Sequence, residues 1–146
     1  MALPTAHPAR RHVAQLRSVA LVLLGALHAA ALACGACDED KVAATYDHGV
    51  VAAARAAHRS VVYVAIEGPV DARAAAARIA REGERTPGIR RATLRVSSEP
   101  AAFSFVADRA QRPPDATLAD LRRRIAMPGL RFSVVRIVHP DPRRPT

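Results

Sequence analysis

Along this chain the apolar positions change their spacing several times, and each change marks an element. Ser60 to Ile66 (Ser-Val-Val-Tyr-Val-Ala-Ile) is β-branched and almost continuously apolar, the pattern of a central buried strand. Glu67-Gly68-Pro69 breaks the run. From Asp71 to Glu82 the spacing predicts a helix, with Ala72, Ala75, Ala76 and Ile79 on one face and Arg73, Arg78 and Arg81 elsewhere. Gly83 and Pro87-Gly88 end it. Ile89 to Ser97 alternates, with Ala92, Leu94 and Val96 on one side and Arg91, Thr93 and Arg95 on the other, so a half-buried strand is expected.

Ser98-Glu99-Pro100 turns the chain into a further strand, Ala101 to Ala107, which carries Phe103 and Phe105. Pro113-Pro114 reads as a loop, and Thr117-x-x-Asp120 as a capping-box variant that starts a helix over 117–127. Leu118, Leu121 and Ile125 give that helix its apolar face, and Pro128-Gly129 stops it. Phe132 to Val138 is the last strand, and Asp141 to Thr146 should fray. The order is β-α-β-β-α-β, in two halves, 60–98 and 101–139, of 39 residues each. That order predicts an α+β, ferredoxin-like (split βαβ) domain over 60–139. Its four-stranded antiparallel sheet would carry both helices on one face and leave the other uncovered. Val62, Val64, Leu94, Val96 and Ile137 are the core candidates.

Ahead of this domain, Asp38 to Ala57 predicts an extra helix, with Val42, Tyr46, Val50 and Ala53 along one face. Asp38, Glu39 and Asp40 put negative charge at its start. Residues 1–17 hold Arg10, Arg11 and Arg17 and no acid, and Ser18 to Ala33 follows without a formal charge. That apolar run is shorter than the roughly 20 residues a membrane-spanning helix needs. It ends in Ala31-Leu32-Ala33, the small residues a signal peptidase accepts. Residues 1–33 are therefore expected to be a cleaved signal peptide that sends the protein to the periplasm or outside the cell.

Composition narrows the function classes. The 146 residues carry a formal charge of +9, and loss of the three N-terminal arginines leaves +6. Half of the residues are apolar, yet there is no Trp, and only three Phe and two Tyr supply aromatic bulk. Phosphate-binding Gly-rich loops and His-Glu-x-x-His are absent, which excludes the nucleotide and zinc-protease classes those motifs mark. Only two cysteines occur, and they form Cys34-Gly35-Ala36-Cys37 in segment 34–59. Three fates for them exclude one another. Lipidation of Cys34 after Leu-Ala would make its sulfur a thioether, an oxidising compartment favours a disulfide, and a reduced pair is a soft-metal clamp for copper(I) or zinc.

Three families share features with the chain. In element order it resembles the heavy-metal-associated domains, which carry soft metals such as copper(I). That family's metal-binding cysteines follow the first strand, whereas here the corresponding loop, Glu67-Gly68-Pro69-Val70-Asp71, holds no sulfur. Cys-Gly-Ala-Cys is similar to the Cys-Gly-Pro-Cys of thioredoxins, which implies thiol–disulfide exchange. RNA-recognition modules share the element order and stack bases on aromatics of the central strands, where Tyr63, Phe103 and Phe105 fall. No RNP-type string is present, and no nucleic-acid partner is expected.

The expected function is an exported, non-catalytic domain that binds a soft metal through Cys34 and Cys37 or binds a protein partner. The alternatives are thiol–disulfide exchange and a lipid-anchored interaction module. His48 is unsuited as a third ligand if the helix is continuous, since 11 residues at 1.5 Å place it roughly 16 Å from Cys37. His58 marks the helix end, and His139 with Asp141 is an incidental pair between prolines. Arg91, Arg95 and Arg136 are expected to form a basic surface on the uncovered sheet face, suited to an acidic protein or an anionic membrane surface.

Overall fold

The computed structural model describes residues 38–140. Four strands, β1 (Val61–Glu67), β2 (Arg95–Ser98), β3 (Ala101–Val106) and β4 (Arg131–Val138), form one sheet in the order β2-β3-β1-β4. Every neighbouring pair is antiparallel. Four helices accompany it: α1 (38–44), α2 (His48–Ala56), α3 (Ala72–Gly83) and α4 (Pro114–Ile125). The result is an α+β fold whose strand order is compatible with the ferredoxin-like arrangement expected from the sequence.

The continuous apolar run of β1 has a direct cause. The strand is central, and both of its faces are covered, so Val61 to Ile66 are all buried. On one face Val62, Val64, Phe103 and Phe105 meet Ala75 and Ile79 of α3 and Leu118, Leu121 and Ile125 of α4. Phe132 closes this core edge-on to Phe103, with ring centres 5.1 Å apart. On the other face Val61, Tyr63 and Val106 meet Val42 of α1 and Val51 and Ala54 of α2. Between Tyr63 and Val64 the β1–β4 register skips Val135. This bulge lets Val135 pack with the second cluster while Phe132 and Ile137 stay with the first.

Several expectations change. Residues 38–57 form two helices instead of one, because Asp47 turns its carboxylate onto the Val50 amide (3.0 Å) and caps a new helix there. The apolar phase shifts with the break: Val51 and Ala54 are buried, Ala53 faces solvent and Tyr46 is 52% exposed. The expected strand over 89–97 shrinks to β2. Ile89 makes a single bridge to Ala107, and Ala92 (φ 62°) sits in a turn whose amide donates to Glu84. Pro113-Pro114 is a helix start, with Pro114 at the first position, where a missing N–H costs nothing. Thr117 is consequently inside α4, fully buried, and donates to the Pro113 carbonyl (3.0 Å) instead of capping. Of the core candidates, Val62 and Val64 lie at its centre, while Leu94, Val96 and Ile137 are half-buried at its margin.

Candidate functional site

Residues 1–33, expected to be a signal peptide, and Cys34, Cys37 and Asp141 lie outside the described residues. What is described is how the segment that follows the cysteines is held. Val42 packs under the sheet, and the Thr45 carbonyl accepts a buried hydrogen bond from Ser104 Oγ at 2.7 Å. Arg95 donates Nε to Oδ2 of Asp47 at 2.8 Å, and its Nη2 forms an ion-pair contact with the same oxygen at 2.8 Å. Arg136, on the opposite edge strand β4 of the sheet, pairs with Glu39. The Val50 amide, then Arg95, hold the Asp47 carboxyl below its ordinary range. Burial beneath this segment pushes the Tyr63 phenol upward.

The three arginines of the expected basic surface are thereby separated. Arg95 and Arg136 do share a face, opposite Ser104 and Tyr63 in register, but α1 and α2 occupy it and supply their carboxylate partners. Arg91 is exposed in the turn before β2 and belongs to no strand. Phe103 and Phe105 point into the helix-covered core, where neither meets solvent. Two residues of the Asp38-Glu39-Asp40 cluster are likewise engaged, Asp38 with Lys41 at 3.1 Å and Glu39 with Arg136.

His48 is the first residue of α2 and is exposed, and the break at 45–47 means that 38–57 is not the continuous helix that the spacing of roughly 16 Å requires. Among the described residues no three His, Cys, Asp or Glu side chains come together as a metal site. Asp120 of α4 is the most heavily paired carboxylate, contacting Arg112 (3.3 Å), Arg123 (3.0 Å) and Arg124 (3.1 Å). Its carboxyl is held low, mainly by Arg124.

One hollow leaves no trace in the spacing of the chain. Where β1 begins and β4 ends, His58, Arg59, Ser60, Asp108, Arg109 and His139 surround a cleft of about 550 Å³. Val61 pairs with Val138, so Ser60 and His139, 79 residues apart, are the next positions outward. Ser60 Oγ lies 3.3 Å from His139 Nδ1. Among the described residues no hydrogen bond orients the other imidazole nitrogen. Finding this juxtaposition from sequence required the β1–β4 register, which apolar spacing alone does not supply.

No helix among the described residues is long and apolar enough to cross a membrane. No family model, curated protein or solved structure matches the chain.

Proposed function

We propose that the chain is an exported, non-catalytic binding protein in which Cys34 and Cys37 take a soft metal ion, copper(I) or zinc. In this reading residues 1–33 direct export to the periplasm or cell exterior and are removed. Residues 60–139 are a ferredoxin-like carrier domain, a reading supported by the strand order and by the two helices α3 and α4 on one sheet face. The observation that carries the proposal is the engagement of three carboxylates among the described residues. Glu39 is bound to Arg136 and Asp47 to Arg95, which ties α1 and α2 to the sheet, and Asp120 is bound to Arg112, Arg123 and Arg124 in and just before α4. The Cys-x-x-Cys is left as the chemically distinctive pair. It directly precedes a segment fastened to the sheet through Val42, Thr45 and Asp47. Two thiolates are a suitable donor set for copper(I) or zinc. The net charge of +6 after leader removal would draw such a domain toward an acidic protein partner or an anionic membrane surface.

Thiol titration of the exported protein, with and without copper(I) or zinc, tests the reading, and intact mass reports cleavage, lipid and cysteine oxidation together. Metal retention that Cys37→Ser abolishes is the expected result. An exchangeable disulfide without metal affinity would assign the pair to thiol–disulfide exchange. A lipid mass on Cys34 would make the protein an anchored interaction module.

A further inference from the structure

We infer that the cleft at the open end of β1 and β4 binds a small organic phosphate. The site involves neither cysteine and stands apart from the soft-metal reading.

The charge of its walls comes first. Arg59 and Arg109 bring two guanidinium groups and His58 and His139 two imidazoles, against the single carboxylate of Asp108. That carboxylate is already turned to Gln111, whose Nε2 donates to Oδ2 at 3.3 Å. Arg59 adds a more specific signal. Its Nη1 is buried yet finds no acceptor among the described residues. A buried ionised donor without a partner is a standing cost, so a residue lining the cleft carries uncompensated positive charge. Ser60 is buried, and its 3.3 Å contact with His139 is long for a hydrogen bond to a hydroxyl. The hydroxyl can therefore turn to a ligand oxygen without giving up a strong interaction.

The kind of anion follows from the donors. Guanidinium forks match phosphate and carboxylate geometry. Two guanidiniums, a hydroxyl and two imidazoles, however, offer more directions than the two oxygens of a carboxylate can use. A phosphoryl group has three terminal oxygens to meet them. The volume, about 550 Å³, is in the range of small-molecule sites and larger than one phosphate requires. The remaining wall, alanine side chains and Pro140, is apolar, which suits an organic group carried by the phosphate.

The test is a titration of the full, isotope-labelled chain with inorganic phosphate and with phenyl phosphate, followed by amide chemical shifts at constant ionic strength, with sodium chloride as the control. Saturable shifts at Ser60, Arg109 and His139 are expected, with phenyl phosphate binding more tightly than inorganic phosphate. Arg59→Met and Arg109→Met should each weaken binding at least tenfold. Arg123→Met, on the exposed side of α4, should leave it unchanged. Because Arg59 is partly buried, Ser60→Ala serves as a second variant, with a several-fold loss expected. Shifts that fail to saturate or that chloride reproduces would overturn the inference, as would an affinity indifferent to both arginine variants. Saturable binding only in a chain ended at Pro140 would also overturn it, since the cleft would then seat the chain's own last residues.

Discussion

Asp47 accepts from the Val50 amide with Oδ1 and from Arg95 with Oδ2, so one carboxylate both starts α2 and fastens it to the edge strand β2. These two roles differ in magnitude. An N-cap satisfies a helix amide that has no partner within the helix, whereas an ion pair open to solvent is screened and contributes little. Asp47→Ala should therefore destabilise the protein more than Arg95→Ala in denaturant unfolding, and Asp47→Ser, which keeps a cap but loses the pair, should fall between them. Equal losses for Asp47→Ala and Arg95→Ala would mean that the cap contributes no more than the bonds Arg95 also donates to the Ala92 and Leu94 carbonyls.

Acid should expose the same design. Both Asp47 and Asp120 have carboxyls held below the ordinary value of 3.8, the first chiefly by the Val50 amide and the second chiefly by Arg124. A carboxyl whose pKa is lowered by folding contributes stability that is present above its unfolded pKa and is lost as pH falls through the folded one. Stability should thus be level near neutrality and decline below about pH 4. Asp120→Asn should make that decline shallower while lowering stability at pH 7. Thermal unfolding followed from pH 7 to pH 2.5 checks both parts, and an unchanged acid slope in the variant would remove Asp120 from the account.

Core depth gives a graded series. Leu121 and Phe103 have no solvent exposure, whereas Leu94 is half-buried against α3. Truncation of Leu121 to Ala should cost about 2–5 kcal/mol and of Phe103 to Ala about 3–5 kcal/mol. Leu94→Ala should cost less than either, since part of its surface is already in water. Urea unfolding of the three variants orders them directly, and a Leu94 loss as large as that of Leu121 would contradict the marginal position of Leu94.

Much of this architecture was legible in the chain because burial writes itself into spacing. The run from Ser60 to Ile66 predicts a strand that is in fact central and covered on both faces, and Ala75, Ile79, Leu121 and Ile125 mark the helical faces that pack on it. Local hydrogen bonding was harder to read. Val42, Tyr46, Val50 and Ala53 fit one continuous helix, yet the capping preference of Asp47 overrides that periodicity. Arg91 to Val96 fits a strand, yet the Glu84 carboxylate takes the Ala92 amide and holds a turn. The basic surface misled for a related reason. Arg95 and Arg136 do share a face, but no spacing tells that the preceding 19 residues of segment 38–56 would lie over it and neutralise both. The Ser60–His139 contact depends on pairing across 79 residues and leaves no local trace.

The last prediction concerns how the turn after α3 meets α4. Gly88 has φ +94°, a conformation that side chains with a Cβ rarely adopt, and a Cβ built there would lie 2.0 Å from Thr117 Oγ1. Thr117 cannot yield easily, because it is fully buried and its hydroxyl is bonded to the Pro113 carbonyl in the first turn of α4. Gly88→Ala therefore combines backbone strain of about 1–3 kcal/mol with an overlap that must move a helix. Thr117→Ala removes the overlapping oxygen but leaves the φ unchanged. The two substitutions should then be coupled: the double variant should be more stable than the sum of the single losses implies, by about 0.5–3 kcal/mol. It should still be less stable than Thr117→Ala alone. Denaturant unfolding of the four proteins measures the coupling. Strict additivity would mean that the Gly88 turn withdraws from α4 instead of pressing on it.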